Sequence, residues 1–380
     1  MMLTLATRLF LPEPAAAALR LGALAREFGE HRGIRTKVLT SRFKAEPPTI
    51  KNVYIRRFPV LRDSTGAVRG YLQYMSFDIP LFFRMLFTDL GEGVICEPPP
   101  TTGVVTRLAC TIKRTPYVYF AGDIVSDAAE GTGAPEPVIR TVRAMERFAI
   151  SGAAGVVAVT DGVAKRAHEL GAKRVNTVPN GIDTSPGAMQ KPEHYADKEV
   201  IFLYAGNVAP WLGADRFIKA MPQVRETIPN SHLVFLGQGA AWDDLQDLAR
   251  DMGEQATFVP AVSPDEAKDW YRYATVGLAS LREGIYDYAY PTKILACLSQ
   301  GTPVVYVGGG EAARDIREND LGAVSTFDVD VIAEAMVRVA QQAEQEGAHG
   351  SERLTAWVEQ NRSVKRSAHD VASTVLGFIE

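Results

Sequence analysis

The chain contains little cysteine and no long hydrophobic run. Its 380 residues include three cysteines, at positions 96, 110 and 297, which are far apart and show no CxxC spacing. This pattern argues against a disulfide framework or a cysteine zinc site, so a reducing cytoplasm is the expected compartment. No apolar run approaches the roughly 18 residues of a membrane-spanning helix. The apolar start MMLTLATRLFLPEP breaks at Pro12, which predicts a strand and a turn rather than a signal peptide.

Several catalytic signatures are also absent. The sequence has no GxSxG, Walker, HExxH or GxGxxG motif. None of its six histidines, at positions 31, 168, 194, 232, 349 and 369, lies at the carboxyl end of a predicted strand. The sequence therefore gives no support to a serine hydrolase, a P-loop kinase or a zinc protease. We expect no metal, no other cofactor and no nucleic-acid partner.

Charge is distributed unevenly along a chain that is otherwise typical of a globular protein. Hydrophobic residues make up 46% and charged residues 23%, and the length suits two domains. Residues 1–183 hold 24 Lys and Arg against 17 Asp and Glu, whereas residues 184–380 hold 17 against 28. This asymmetry indicates two distinct domains and suggests an anionic partner or a membrane surface for the first. Ordinary solvated surface is the alternative interpretation.

Short apolar runs alternate with longer amphipathic segments. Several of the runs are apolar throughout, which is typical of strands covered on both faces. The alternation predicts an α/β fold with doubly wound parallel sheets. Helix candidates include residues 15–31, 135–152, 212–228, 243–253 and 363–380. The strand candidates are residues 3–9, 36–40, 53–58, 93–97, 117–122, 155–160, 175–179, 199–206, 231–237, 256–262, 276–281, 303–309 and 322–326.

The pattern restarts once along the chain. The stretch PNGIDTSPG is rich in turn-forming residues and is typical of a linker. We therefore expect a first Rossmann-like domain over residues 1–183 and a second over residues 184–362. Residues 363–380 have a helical apolar rhythm and either cap the second domain or cross back to the first. Ligands of such sheets bind beyond the carboxyl ends of the strands.

The second half carries the densest set of candidate ligand-binding residues. Gly206 and Asn207 follow an apolar strand and precede a helix, as a phosphate-binding turn would. Arg282 follows another strand, and Lys293 begins the next helix after Pro291 and Thr292. Two cations beside a helix N-terminus favour a diphosphate site, because fixed charge, N–H donors and the positive end of the helix dipole coincide. Solvated surface charge is the alternative.

Two features of the first half are weaker candidates. The turn around Pro12 precedes a helix start made of small residues, which would let backbone N–H groups approach an anion. Asp123 ends a predicted strand and could act as a base or orient an acceptor hydroxyl, with Asp127 as the second choice. A turn or helix-capping role is as good an interpretation of either aspartate.

These segments together resemble the retaining glycosyltransferases of family 4, which have the GT-B fold, and in particular the bacterial capsule, colanic-acid and O-antigen type. The resemblance covers nearly the whole chain. It rests most specifically on VNTVPNGID and PTKILACLSQGTPVV, and also on LFLPEPAAAALRLGALAREF, LYAGN and LREGIYDYAYP. It implies that a nucleotide-sugar donor binds mainly to the second domain and a small-molecule or lipid-linked acceptor mainly to the first.

The resemblance also assigns roles to individual residues. It implies that Arg282 and Lys293 hold the donor diphosphate. Together with Asp123, which is a candidate from its place at a strand end, they form the predicted catalytic set. It places Pro12 over the diphosphate from the first domain. The remaining donor-binding residues that it implies are Gly206, Asn207, Glu283, Gly284, Tyr290, Thr292, Gly310 and Glu311.

Four positions depart from the family pattern. Ala296 stands where the family usually has a glutamate that binds the ribose hydroxyls, and Tyr288 stands where a paired glutamate often occurs. The usual Arg and Lys after the first strand of the second domain are replaced by NVAPWLG, which offers Asn207 and Trp211. The frequent first-domain catalytic histidine has no match, and Asp123 occupies roughly its place.

We therefore expect a retaining sugar transferase, cytoplasmic or peripheral at the inner membrane face. A non-catalytic nucleotide-sugar-binding protein and a nucleotide-sugar epimerase of the same fold remain as alternatives. The segment GYLQYMSFDIPLFFRMLF, residues 70–87, follows Arg56, Arg57, Arg62 and Arg69. It is expected to be a packed helix, and docking of a lipid-linked acceptor at a membrane surface is the alternative.

Overall fold

The fold was obtained as a computed structural model. It describes residues 1–13, 15–63, 66, 68, 70–131, 133–195, 200–253, 256–282, 284 and 288–380. These residues form two compact units. Unit 1 comprises Met1–Gly181 and Val364–Glu380, and unit 2 comprises Ile182–Ser363.

Unit 1 contains a seven-stranded sheet whose described strands pair in parallel throughout. The strands are β1 (Met2–Ala6), β2 (Arg35–Ser41), β3 (Val53–Phe58), β4 (Gly93–Cys96), β5 (Tyr117–Ala121), β6 (Gly155–Ala158) and β7 (Val175–Thr177). Their order in the sheet is β3-β2-β1-β4-β5-β6-β7. The central strands β4, β5 and β6 are buried along their whole length, as strands covered by helices on both faces must be.

Helices connect these strands. They are α1 (Ala16–Arg26, continued by a π-helical turn over Glu27–His31), α2 (Tyr71–Leu86), α3 (Pro100–Lys113), α4 (Val125–Gly131), α5 (Glu136–Ser151) and α6 (Asp161–Glu169). Local chemistry fixes several of their ends. The Thr160 hydroxyl accepts a hydrogen bond from the Val163 N–H and so caps α6. The buried Glu146 carboxylate accepts from the N–H groups of Val125 and Ser126 at the start of α4.

Unit 2 repeats the arrangement with six parallel strands. They are β8 (Val200–Asn207), β9 (Ser231–Gln238), β10 (Ala256–Pro260), β11 (Val276–Ser280), β12 (Val304–Val307) and β13 (Gly322–Ser325), in the order β10-β9-β8-β11-β12-β13. The helices are α7 (Asp215–Thr227), α8 (Trp242–Asp251), α9 (Pro264–Tyr273), α10 (Thr292–Ser299), α11 (Gly310–Glu318) and α12 (Val329–Arg362). Helix α12 is kinked at Gly347, where φ is +50° and the backbone leaves the helical conformation.

Aromatic side chains in mutual contact fill part of the unit 2 core. Tyr204 of β8 lies between Phe217 of α7 and Phe235 of β9, with ring centroids 6.0 and 5.6 Å apart. Phe258 stacks on Phe235 at 5.0 Å. Tyr204, Phe217 and Phe235 are fully buried, and each such ring contributes a large apolar area to the core. This packing anchors β8 three residues before its carboxyl end.

The strand order creates one switch point in each sheet. In unit 1 the order reverses between β1 and β4, and in unit 2 between β8 and β11. Consecutive helices leave opposite faces of the sheet at such a point, so a crevice opens beyond the carboxyl ends of those two strands. The predicted doubly wound parallel sheets are confirmed, and each of the thirteen predicted strand segments overlaps one of the strands.

The last helix, α13 (Val364–Ile379), packs within unit 1. Its end lies against strands with glycine at the contact. The Phe378 ring covers Gly155 of β6, and the Ile379 side chain covers Gly93 of β4. Arg174 lies over the Phe378 ring at 4.8 Å and donates a hydrogen bond to the Gly377 carbonyl at 2.6 Å. The absence of a side chain at the two strand positions is what allows this close approach.

Among the described residues, no helix combines the length and the apolar character needed to cross a bilayer.

Gly155→Ala is expected to destabilise unit 1. An ideal Cβ at Gly155 would lie 2.2 Å from Cδ2 of Phe378, so the ring and the end of α13 would have to move. Overpacking of this kind costs about 1–3 kcal/mol. Thermal unfolding followed by circular dichroism should therefore show a lower Tm.

Gly377→Ala is the matched control in α13. No atom lies within 4 Å of an ideal Cβ there, and alanine is favoured over glycine inside a helix by up to about 1 kcal/mol. Its Tm should be unchanged or higher. If both variants lost the same Tm, the close approach of Phe378 to β6 would not be the cause.

Candidate functional site

The largest group of predicted ligand-binding residues lies at the switch point of unit 2. Gly206 and Asn207 end β8, and Arg282 follows β11 by two residues. Gly206 has φ +108°, a conformation that glycine adopts without strain, and β8 stays paired with β9 through Asn207. The crevice expected from the sheet order is therefore bordered by the glycine-containing end of β8 on one side and by a cation on the other.

Lys293 reaches the end of β8 from α10. Its Nζ atom lies 3.4 Å from the Asn207 carbonyl oxygen, to which it donates a hydrogen bond. The same nitrogen sits 3.5 Å from the centroid of the buried Tyr204 ring, which is a cation–π geometry. An ideal Cβ at Gly206 would be 3.8 Å from Lys293 Cε, so the lysine stem passes close to the glycine. The sheet thus fixes the position of this charge.

The surroundings of Lys293 disfavour its charged form. Its side chain retains some accessible surface, but loss of hydration lowers its pKa to about 7. Proximity to Cys297 is a smaller, opposing influence that raises the pKa. A bound phosphate would supply the missing negative charge and favour the ammonium form. Perturbed lysines of this kind are enriched at functional sites.

Arg282 is held by the loop that leads from β8 into α7. Its guanidinium lies 3.5 Å from the Asp215 carboxylate and 5.7 Å from the Phe327 ring centroid. Its backbone N–H donates to the Trp211 carbonyl at 3.4 Å. Gly213, with φ +72°, leaves room for the guanidinium, because an ideal Cβ there would lie 3.0 Å from Arg282 Nε. The arginine remains about half exposed and open to a ligand.

The helices of unit 2 that follow its strands begin at this edge of the sheet. Among them are α7 after β8, α10 after β11 and α11 after β12. Thr292 is the exposed first residue of α10, with Pro291 before it, and Gly310 opens α11 with φ +74°. Each N-terminus presents free N–H groups and the positive end of a dipole, which favours anions.

Glu311 and Tyr290 belong to a buried ion-pair cluster that the sequence did not reveal. Arg362, which is 7% exposed, donates to Glu311 Oε1 at 2.9 Å and also pairs with Asp315. Its guanidinium stacks over the Tyr290 ring at 4.7 Å. Glu311 is thus committed to Arg362 through one oxygen, while its Oε2 is buried without a hydrogen bond among the described residues. The cluster ties the end of α12 to the starts of α10 and α11.

Ala296 lies on the buried side of α10. It is 8% exposed and follows Lys293 by one helical turn. Its carbonyl accepts a hydrogen bond from the Ser299 hydroxyl at 2.9 Å. A methyl group therefore occupies the position beside Lys293 where the resemblance implies a carboxylate, and it offers no acceptor.

The loop before α10 is described only in part. Glu283 and residues 285–287 lie outside the described residues, so the expectations for them stay predictions. Gly284 has φ +142° and no atom within 4 Å of an ideal Cβ. Across the described chain, His, Cys, Asp and Glu side chains form no group of three or more that could hold a metal ion.

Unit 1 has its own polar cluster at its switch point. The Thr7 hydroxyl, just after β1, donates to Glu97 Oε1 at 2.8 Å, just after β4. Arg20 of α1 pairs with Glu97 at 3.2 Å and donates to Asn180 Oδ1 at 3.2 Å. These contacts join the carboxyl ends of β1 and β4 to a helix and to the segment after β7.

Asp123 lies beside this cluster at the end of β5. Asp123 is an exposed residue, but neighbouring protein atoms reduce its hydration enough to raise the pKa of the carboxyl. Arg20 and Arg8 act in the opposite direction. Asp127 is engaged elsewhere, since it forms a two-point ion pair with Arg166 at 2.7 and 2.8 Å. Asp123 is therefore the better placed of the two for contact with a ligand.

The turn at Pro12 is anchored on both sides. Leu11 packs against Gly22 of α1, where any side chain would collide with it. Glu13 is buried and pairs with Arg62 at 2.7 Å. The small residues of α1 thus serve at least to let this turn lie flat on the helix. Whether Pro12 contacts a ligand stays a prediction.

Sequence reasoning missed the residues that position the predicted ones. Asp215 holds Arg282, Tyr204 supports Lys293, and Arg362 holds Glu311. In unit 1 it missed Arg20 and Glu97. Asp215 could have been found from the segment Pro-Trp-Leu-Gly-Ala-Asp after β8. This segment places an acidic residue at the start of a helix that follows a strand, a position that favours negative charge. The other partners lie far away in sequence and carry no local signature.

Comparison with known families agrees with this geometry. Residues 16–181 match the family model described as a glycosyl transferase 4-like domain, and residues 199–342 match the model described as glycosyl transferases group 1. The two matches fall in unit 1 and unit 2 respectively.

Curated relatives are distant. A GDP-mannose-dependent alpha-(1-6)-phosphatidylinositol monomannoside mannosyltransferase of Mycobacterium tuberculosis is 26% identical over 47% of this chain and 51% of its own length. A D-inositol 3-phosphate glycosyltransferase of Acidothermus cellulolyticus is 26% identical over 58% of this chain and 53% of its own length. The chain thus spans about half the length of the curated relatives that it matches.

Solved structures resemble the chain over its whole length. Anabaena HepE in complex with UDP and glucose has a TM-score of 0.71 at 15% identity, covering 99% of this chain and 100% of that one. Sucrose-phosphate synthase of Thermosynechococcus elongatus also has a TM-score of 0.71, at 16% identity, covering 99% and 98%. The chain has the GT-B fold. At these identities the structural likeness of the GT-B proteins concerns the fold alone.

In this GT-B protein, Lys293→Met is expected to raise the Tm, and by more at pH 6 than at pH 9. The folded-state pKa of Lys293 is about 7, against 10.5 for an ordinary lysine. Between pH 7 and pH 10.5 the unfolded chain therefore binds more protons than the folded one, so the free energy of unfolding rises with pH over that range. The destabilising effect of the lysine is full at or below pH 7 and declines above it. Scanning fluorimetry at the two pH values measures this difference.

Lys191→Met is the control, because Lys191 is an exposed lysine of the same unit. It should change the Tm little and equally at both pH values. A lower Tm for Lys293→Met at pH 6 would mean that the amine stabilises the empty protein, contrary to the burial argument.

Proposed function

We propose that this protein transfers a sugar from a nucleoside-diphosphate donor to an acceptor hydroxyl, with retention of anomeric configuration. The observation that carries the proposal is the position of Lys293, Arg282 and the Gly206–Asn207 end of β8 at the switch point of unit 2. Two cations, a glycine at a strand end and nearby helix N-termini suit a diphosphate. The glycosyl transferase group 1 match over this unit supports the same assignment.

In the proposed reaction, the diphosphate leaves as an anion while the sugar gains oxocarbenium character. Charge develops on the leaving oxygen, and donors that are fixed before the reaction stabilise it most. Lys293 is fixed by Tyr204 and the Asn207 carbonyl, and Arg282 by Asp215 and Phe327. In the proposal these side chains neutralise the diphosphate, and no divalent metal is assigned to the step. The acceptor oxygen attacks the face from which the nucleotide leaves.

Unit 1 is the proposed acceptor-binding unit. Asp123 is the group that would orient the acceptor hydroxyl or accept its proton, since its raised pKa brings it nearer to a useful value. The curated relatives are named for lipid or inositol-phosphate acceptors. A small-molecule or lipid-linked hydroxyl is accordingly the proposed acceptor class, and a nucleotide-sugar is the proposed donor.

The departure at Ala296 keeps a second function open. Because α10 offers a methyl group where a ribose-binding carboxylate is expected, the donor would be held chiefly through its diphosphate. Weak binding of this kind is compatible with a protein that binds a nucleotide-sugar without transferring it. An epimerase would instead convert the donor sugar without any acceptor.

Calorimetric titration with UDP, GDP, dTDP, CDP and ADP tests the proposed donor site. One of these nucleotides should saturate the wild-type protein. Lys293→Ala and Arg282→Ala should each weaken its binding by roughly tenfold or more, because a charged hydrogen bond contributes about 1.5–3 kcal/mol. Lys191→Ala, at an exposed lysine of the same unit, should bind as the wild type does.

The matching nucleotide-sugars then separate the three functions. A transferase should release nucleotide slowly even without acceptor. NMR of the released or transferred sugar should show that the product formed initially keeps the anomeric configuration of the donor. Binding without release would identify a silent binder, and a changed sugar without acceptor an epimerase. No saturable binding by any of the five nucleotides would contradict the proposed site.

Ala296→Glu should tighten binding of the same nucleotide by about tenfold or more. A carboxylate at this position could accept hydrogen bonds from ribose hydroxyls, each contributing about 1.5–3 kcal/mol. The empty variant should have a lower Tm, since position 296 is buried and an unpaired carboxylate there is unfavourable.

Ala296→Gln is the matched control for shape without charge, and it should gain less affinity than the glutamate variant. A folded Ala296→Glu protein with unchanged or weaker nucleotide binding would mean that the ribose does not lie against this turn of α10.

A further inference from the structure

Helix α2 exposes an apolar face. Leu72, Ile79, Phe83 and Phe87, the last directly after the helix, are between 53% and 86% exposed. Their spacing of seven, four and four residues places them along one side of the helix. Tyr71 at the helix start is exposed as well. Apolar side chains that recur on the outward side of one helix form a contiguous patch, and such patches mark interaction sites.

This outward face is additional to the face that packs in the core. On the inward side, Phe77, Leu81 and Met85 are fully buried, and Phe77 stacks on Phe58 of β3 with ring centroids 5.1 Å apart. The helix is thus already anchored to unit 1 by one apolar stripe. The exposed stripe is not needed for this anchoring.

Charged side chains are almost missing from the helix. Tyr71–Leu86 contains only two, Asp78 and Arg84. Asp78 is fully buried and accepts a hydrogen bond from the Thr102 hydroxyl at 2.6 Å. Arg84 lies over the Phe58 ring at 4.2 Å. A surface helix normally carries charges on its outward side, and α2, all of which the structure describes, carries none that is fully exposed.

The neighbouring helix also exposes apolar side chains. α3 packs against α2 and exposes Leu108 and Ile112, which lie one turn apart. Leu108 also borders a groove that α3 forms with Phe148 of α5. Lys113 follows them and donates to the Leu86 carbonyl at the end of α2, at 3.3 Å. We call the following exposed side chains together the α2 surface: Leu72, Ile79, Phe83, Phe87, Leu108 and Ile112.

Basic side chains border the α2 surface. Arg56 of β3 is close enough to Arg84 and to Lys37 of β2 to lower the pKa of both, in addition to the larger effect of their burial. Tyr54, two residues before Arg56 on the same side of the strand, is exposed. Lys113 adds a further cation at the end of α3. Asp89, beside Lys37, is an acidic group of this neighbourhood.

We propose that the α2 surface docks unit 1 onto an anionic lipid bilayer. Exposed Phe, Leu and Ile side chains would enter the boundary between headgroups and acyl chains, while Arg56, Lys37 and Lys113 would approach lipid phosphates. This combination of an apolar face and flanking cations is what an interfacial helix requires. A symmetric contact with a second copy would instead bring the same cations together, which is unfavourable.

Vesicle co-sedimentation tests the docking. Wild-type protein should sediment with phosphatidylcholine vesicles that contain phosphatidylglycerol, and should sediment less with phosphatidylcholine alone or at high salt. The double variant Ile79→Gln with Phe83→Gln should lower the partition coefficient by about tenfold or more, because two side chains that the bilayer had buried return to water. Arg56→Glu should lower it several-fold on anionic vesicles only.

Matched controls lie in unit 2. Val331→Gln removes an exposed apolar residue of α12, and Arg272→Glu reverses an exposed charge of α9. Both should sediment as the wild type does. Each variant should keep the wild-type circular dichroism spectrum, since the substituted side chains are on the surface.

Two outcomes would overturn the docking proposal. One is absence of sedimentation at low salt, or equal sedimentation of the wild type and the α2 variants. The other is a dimer in analytical ultracentrifugation that the double variant abolishes, which would assign the α2 surface to a second copy. Nucleotide binding is measured without lipid, so failure of the docking and failure of the proposed donor site are distinguishable.

Discussion

The parallel pairing of the strands is the constraint on which the rest of this structure depends. In each unit every described strand ends at the same edge of its sheet, so every following helix begins there. Helix N-termini and strand-end loops are thereby gathered along one line. The reversal of strand order between β8 and β11 then opens a crevice on that line. Lys293 and Arg282 approach the same β8–α7 loop for this reason alone.

The candidate donor site contains a lysine that destabilises the empty protein but suits a bound anion. Lys293 is kept partly dehydrated over an aromatic ring, with a backbone carbonyl as its hydrogen-bond partner in the described chain. An empty site of this kind is electrostatically incomplete, and an anion completes it. In the proposed function, Ala296 offers no carboxylate to hold a ribose, so the donor would be bound chiefly through its diphosphate. Arg362, by contrast, is fully paired with two carboxylates and serves to hold the helix starts in place.

The strands and the central cations were predictable because they depend on local pattern. Runs such as YVYFAG and EVIFLYAG are too apolar for an exposed strand, and PTK marks the start of α10 within one residue. The partners of the cations were not predictable. Asp215, Tyr204 and Arg362 meet their partners across long stretches of sequence, and no periodicity reports such a contact. The apolar α2 segment was expected to be packed, yet only one of its two apolar stripes is buried.

The sequence by itself determined the α/β class, the tandem arrangement and the positions of the strands, and it pointed to the two cations of the candidate site, because burial and turn formation depend on a few adjacent residues. Only the tertiary structure decided that α13 packs in unit 1, that Asp127 is tied to Arg166 while Asp123 is not, and that α2 presents a second apolar stripe to solvent. These outcomes depend on which elements lie side by side in space. Side-chain pairing across elements is set by that arrangement and leaves no trace in local composition.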